Sequence, residues 1–100
     1  MKVRFTFNAR RRMRHIEDYH AEHGSAKKGR KTVQEILRRA DELERHPLLG
    51  PEEENLEHMQ QGHRSLLVGT LYKIVYLIVK PVILITDIFD VRQDSDKMKP

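Results

Sequence analysis

Leu71-Tyr72-Lys73-Ile74-Val75-Tyr76-Leu77-Ile78-Val79-Lys80-Pro81-Val82-Ile83-Leu84-Ile85-Thr86-Asp87-Ile88-Phe89 is the stretch whose reading decides the fold. From Leu71 to Val79 it alternates. Tyr72, Ile74, Tyr76 and Ile78 share one face, and Lys73, Val75, Leu77 and Val79 share the other, which is the period of a β-strand. Lys80-Pro81 falls where a hairpin has to turn. Proline has no N–H for a ladder, so it is tolerated there and not inside a strand. Val82 to Phe89 is apolar on both faces, which predicts a strand in a central position. The apolar run from Leu66 to Phe89 is long enough to suggest a membrane span. Lys73, Lys80, Pro81 and Asp87 interrupt it, and charge at the bilayer centre is costly.

Outward from this hairpin, Ser65 to Gly69 reads as one more strand. At the start of the chain, Val3, Phe5 and Phe7 alternate with Lys2, Arg4 and Thr6, predicting a strand over 2–7 with one buried face. Asn8 is the expected N-cap of a helix reaching Glu22 or His23, with Ala9, Met13, Ile16 and either Tyr19 or His20 as its apolar stripe. Arg10, Arg11, Arg12 and Arg14 fill much of its first two turns, where positive charge opposes the helix dipole and calls for compensation. Gly24 suits the C′ position. Val33, Ile36, Leu37, Ala40 and Leu43 mark a second helix over 32–45, capped by Thr32 or Ser25 and stopped by Pro47. Pro47 to Gly62 is harder to assign. A short acidic helix after Pro51, anchored by Leu56 and Met59, is the expectation there, and the polar chain from Gln93 is expected to fray.

The predicted class is therefore α+β in the order β-α-α-β-β-β, a helical hairpin packed on one face of a mainly antiparallel four-stranded sheet. One domain over 1–94 and a polar tail over 95–100 are expected, with the second sheet face partly open.

Composition bounds the function. The chain has 100 residues, 38% hydrophobic and 34% charged, with a net charge of +4. There is no cysteine, so disulfides and thiolate zinc sites are excluded. Met1-Lys2-Val3-Arg4-Phe5 carries no apolar leader, and a cytoplasmic location is expected. Residues 1–39 hold 12 Lys/Arg against 4 Asp/Glu, while residues 40–100 hold 7 against 11. The basic part suits a polyanion or an acidic protein partner, or else a solvated helix surface. His20 and His23 lie three apart on a helix without a third ligand, and His58 and His63 are no better placed, so no metal and no cofactor are expected.

The ordered combination of Phe5 and Phe7; Ala9, Ile16 and Tyr19; Ile36, Ala40, Leu43, Pro47 and Gly50; Arg64, Leu66 and Gly69; Tyr72-Lys73-Ile74-Val75-Tyr76; and Ile88-Phe89-Asp90-Val91-Arg92-Gln93 resembles the RelE/ParE superfamily of bacterial type II toxins, over residues 3–94. The resemblance implies the fold just read and a cognate antitoxin that wraps the toxin and blocks it. It implies two possible targets. RelE-like members cleave mRNA on the ribosome, and ParE-like members poison DNA gyrase.

Cleavage of RNA needs an activated 2′-OH, a stabilised phosphate and a protonated leaving oxygen. By the resemblance Arg64, Lys73 and Arg92 match the basic catalytic positions of RelE-like enzymes. The family's second lysine falls on Leu66, and its tyrosine falls near Met98, so a general acid–base is missing. That favours the ParE-like, non-enzymatic reading, with Arg92 and Arg64 as target-binding residues; a RelE-like ribosome-dependent mRNA endonuclease and a superfamily member without toxicity are the alternatives. Plainer roles stand beside these. Arg92 can pair with Asp90 or Asp94, Arg64 with the Glu52–Glu57 run, Lys73 can be a solvated strand lysine, and Tyr72 and Tyr76 can be core or rim aromatics.

Overall fold

A computed structural model describes residues 1–100. The elements are β1 (Lys2–Phe5), α1 (Phe7–Glu22), α2 (Ala26–Arg45), β2 (Arg64–Val68), β3 (Tyr72–Val79) and β4 (Val82–Asp90), with short 3-10 helices at Glu54–Met59 and Ser95–Lys97. The sheet order is β1-β4-β3-β2. β1 runs parallel to β4, and the other two pairings are antiparallel. This is the predicted α+β class, with β4 in an interior position as its two apolar faces require.

The ends of the elements correct the sequence reading. β1 stops at Phe5 because Thr6, not Asn8, caps α1, its hydroxyl accepting from the Ala9 N–H at 3.1 Å. Phe7 therefore opens the helix and lies outside the buried strand face, 73% exposed. Asn8 instead turns its amide to the Thr86 carbonyl and the Asp87 carboxylate. Of the two caps that the sequence offers α2, Ser25 is the one used, so residues 26–31 join the helix. The acidic segment after Pro51 is a 3-10 helix anchored by buried Leu56, whereas Met59 is exposed.

Ala9, Met13 and Ile16 of α1 and Ile36, Ala40 and Leu43 of α2 pack on Leu66, Val68, Ile74, Tyr76, Ile83, Ile85 and Ile88 to form the main core. The hairpin closes tightly because Gly29 of α2 abuts the Cβ of His20 and the backbone of Glu17. The rear face of the sheet carries a second, smaller cluster of Val75, Phe89, Leu56 and Met98. Two segments between and beyond the strands cover it. The tail expected to fray is one of them. Met98 is buried, the Lys99 N–H donates to Asp87 at 2.9 Å, and Thr86 Oγ1 donates to the Lys99 carbonyl at 3.1 Å.

A register shift opposite Val75 and Tyr76 leaves Thr86 without a partner on β3. The bulge bends β4 locally. It places the fully buried Asp87 where Asn8 and Arg12 of α1 reach its Oδ1 at 3.1 and 3.3 Å. Asp87 thus gives Arg12 alone, among the arginines at the start of α1, an acidic partner.

Candidate functional site

The three cations singled out from the sequence lie in three different places. Arg64 faces Tyr76 across β2 and β3, and Lys73 faces Leu67. Alternation puts Arg64 on the helix-covered face and Lys73 on the rear face. Arg92 follows Asp90, which is paired with Tyr72. Four residues of β3, about 13 Å at 3.3 Å per residue, separate the Arg64 level from the Asp90 level. The structure does not bring the three side chains onto one surface.

Each is also engaged. The Arg64 guanidinium donates to the Gly50 carbonyl at 2.8 Å, not to the Glu52–Glu57 run. Gly50 sits at the centre of a knot tied by the Pro47–Gly50 turn. Its N–H donates to the buried Tyr76 hydroxyl at 3.0 Å, and that hydroxyl donates to the Pro47 carbonyl at 2.7 Å. A Cβ at Gly50 would lie 2.5 Å from the Ser65 oxygen and 3.0 Å from the Tyr76 ring, so no side chain fits. The Pro47 and Gly50 spacing noted in the sequence is therefore a packing requirement. Burial pushes the Tyr76 phenol above its ordinary value, and it remains neutral.

Lys73 is not solvated. Its Nζ lies 3.0 Å from Glu53 Oε1, and the Glu53 side chain is 3% exposed. Burial alone would raise the Glu53 pKa. Bonds from the Asn55 N–H, the Ser65 hydroxyl and Lys73 outweigh it and hold the carboxyl below its usual range. Glu53 was indistinguishable from Glu52 and Glu54 in the sequence, since only the fold shows which of the three turns inward. His63 beside it is 2% exposed with both ring nitrogens unpartnered, and burial pushes its pKa down.

Arg92 forms a fork on Asp90, with Nε to Oδ1 at 3.0 Å and Nη2 to Oδ2 at 2.8 Å. The hydrogen bonds from Arg92 hold the Asp90 carboxyl below its ordinary range even against burial. Unlike the other two cations, Arg92 remains largely accessible, its side chain 61% exposed. It stands on the rim of a groove of about 300 Å³ lined among others by Arg12, His15, Tyr19, Tyr72 and Gln93. Burial, with the Asp90 charge second, raises the Tyr72 phenol. Tyr19 stacks on His23 with ring centroids 4.1 Å apart. Cations, aromatic rings and one carboxylate line this groove together.

A second groove, about 550 Å³, lies between α2 and the β2–β3 turn. Val68, Leu71 and Tyr72 give it an apolar floor, and Lys28 and Lys31 give it a basic rim. It adjoins β2, one edge of the sheet. Pro51–Glu53 covers the beginning of that edge through Ser65 N–H to Pro51 O at 3.0 Å and Glu53 N–H to His63 O at 2.8 Å. Leu67 further along is 49% exposed. The structure contains no group of three or more His, Asp or Glu side chains placed to hold one metal ion.

No curated protein matches this sequence. Among solved structures, the fold is similar to one described as "Chromosomal ParDE TA system from P. aeruginosa", with a TM-score of 0.76 and 20% identity over 90% of this chain and 95% of that one. The family model for the ParE toxin of the type II toxin–antitoxin system parDE matches residues 3–96, and the chain belongs to that family.

Proposed function

We propose that this ParE-family chain is a cytoplasmic growth-inhibiting toxin that acts by binding DNA gyrase and is neutralised by a cognate antitoxin. The observation that carries the binding mechanism is the engagement of the three candidate catalytic cations. Arg64 fastens the Pro47–Gly50 turn, Lys73 neutralises buried Glu53, and Arg92 stands apart from both. A nuclease centre needs its groups convergent on one phosphate. A binding surface needs exposed anchors, and the groove rimmed by Arg92, Tyr19 and Tyr72 supplies them. No helix is long and apolar enough to cross a membrane.

The groove between α2 and β2 suits the antitoxin. Its apolar floor, its lysine rim and the neighbouring strand edge fit a peptide that is partly apolar and partly acidic.

Purified protein is expected to inhibit gyrase supercoiling, and Arg92→Ala to require about tenfold more protein for the same inhibition. Codon-dependent cuts in mRNA on translating ribosomes, with supercoiling untouched, would overturn this reading in favour of a RelE-like endonuclease.

A further inference from the structure

Phe7, Arg10, Arg11 and Arg14 stand at i, i+3, i+4 and i+7 along α1, which places them on one side of the helix. All four are exposed, and Phe7, at 73%, is the most exposed large hydrophobic residue of the chain. The core uses a different side of the same helix, Ala9, Met13 and Ile16. The chain's ion pairs employ Arg12, Arg38, Arg39, Lys73 and Arg92. Arg10, Arg11 and Arg14 pair with no acid. The one contact among them is from Arg11 to the Asn8 amide oxygen at 3.3 Å.

No ion pair of the fold uses this arrangement. Cations near a helix N-terminus oppose its dipole, and the first turn of α1 holds no acid. Asp87 does not relieve the three arginines, because its oxygens accept from Asn8, Arg12 and the Lys99 N–H. The complementary partner has closely spaced anions and a flat apolar surface. Single-stranded nucleic acid offers both, with phosphates for the guanidinium forks and unstacked bases for the phenyl ring. An acidic peptide offers the arginines carboxylates, without the regular spacing of a phosphate backbone or a base beside each charge, and an intact duplex keeps its bases stacked. We propose that the Phe7-Arg10-Arg11-Arg14 face of α1 binds single-stranded nucleic acid, the arginines holding phosphates while one base stacks on Phe7.

Fluorescence anisotropy of the full chain with a labelled single-stranded DNA dodecamer tests this. Neutralising three phosphates predicts a slope of about −2 in log K against log salt, which is roughly a 20-fold loss of affinity between 50 and 200 mM salt. The triple variant R10A/R11A/R14A is expected to abolish most of that slope. Phe7→Ala is expected to weaken binding about tenfold with the slope intact, the signature of lost stacking without lost charge. These side chains are exposed and the arginines oppose the helix dipole, so the triple variant should melt no lower than the parent, which separates lost binding from lost folding. The proposal fails if the triple variant keeps its slope, if Phe7→Ala binds as tightly as the parent, or if the matching duplex binds equally well. It also fails if a polyglutamate peptide competes as effectively as the unlabelled oligonucleotide.

Discussion

The two faces of the sheet are built by different means. The helix-covered face is closed by periodic apolar stripes from α1 and α2, and its core residues are aliphatic apart from Tyr76. The rear face is closed by irregular chain. Leu56 arrives on a 3-10 helix and Met98 on the C-terminal tail, and the polar groups there, Glu53, Ser65, Lys73, Thr86 and Asp87, are tied by side-chain bonds. Burying area without polar atoms is nearly free of directional demands. Burying carboxylates is tolerable only when each finds donors. The first face therefore rests mainly on packing, and the second depends on a few specific partners.

The largest expected effect tests that asymmetry directly. Ile74 is fully buried between the helices and the sheet, so Ile74→Ala leaves a cavity with rigid walls and should cost about 3–4 kcal/mol. Met98 is nearly as buried, but its wall is a terminal segment free to collapse or detach. Met98→Ala should cost about 1–2 kcal/mol. Urea unfolding of both variants decides the matter. Equal losses would mean that the rear cluster is a full part of the cooperative core.

Next in size is the knot at the end of the helix-covered face. Tyr76→Phe removes the hydroxyl that accepts from the Gly50 N–H and donates to the Pro47 carbonyl. A buried amide left without a partner predicts a loss of about 2 kcal/mol. Because the carbonyl of Gly50 also holds Arg64, looser packing there should show as faster amide exchange across residues 47–52. Unchanged exchange would mean that the turn is held by Arg64 alone.

These contrasts explain what was legible in the sequence. The helix-covered face could be read because its signals are periodic: the alternation of Tyr72, Ile74, Tyr76 and Ile78, and the spacing of Val33, Ile36, Ala40 and Leu43. The rear face has no period. Met98 in a polar tail looked solvated, and its burial depends on the Lys99 N–H and carbonyl finding Asp87 and Thr86, partners supplied by a bulge that no local pattern announces. Thr6 and Asn8 are both good caps, and choosing Thr6 reverses the fate of Phe7 from core to surface. The partners of Arg64 and Lys73, the Gly50 carbonyl and Glu53, lie 14 and 20 residues away along the chain, where no local pattern joins them. Arg92 has two acids within two residues, Asp90 and Asp94, and the fold selects Asp90.

A smaller effect separates the charged partners of the rear face. Lys73→Met leaves Glu53 buried with the Ser65 and Asn55 bonds alone. Since the lysine side chain is 31% exposed and partly screened, the loss at neutral pH should be about 1 kcal/mol. Glu53 has a lowered folded-state pKa, so its contribution is present above the unfolded carboxylate value of about 4.3 and disappears as pH falls through the folded value. Removing Lys73 raises that folded value. Acid unfolding of the variant should begin at higher pH than in the parent. An unshifted acid transition would show that the backbone and Ser65 bonds suffice.

The smallest effect belongs to His63, the one rear-face group with no partner. Its ring nitrogens are buried and unpaired, and burial lowers its pKa below the ordinary value of about 6.5. The unfolded chain therefore takes up a proton that the folded chain refuses, so stability falls as pH drops below that value and recovers above it. With the folded ring neutral throughout, the loss between pH 7 and 6 is at most about 0.7 kcal/mol. His63→Leu should remove that part of the pH dependence, while the other histidines contribute equally to both proteins. The difference between the two stability curves over this interval isolates the group. If the difference is flat, His63 titrates alike in the folded and unfolded chains, and the neighbouring Glu52, Glu54 and Glu57 would then be what offsets its burial.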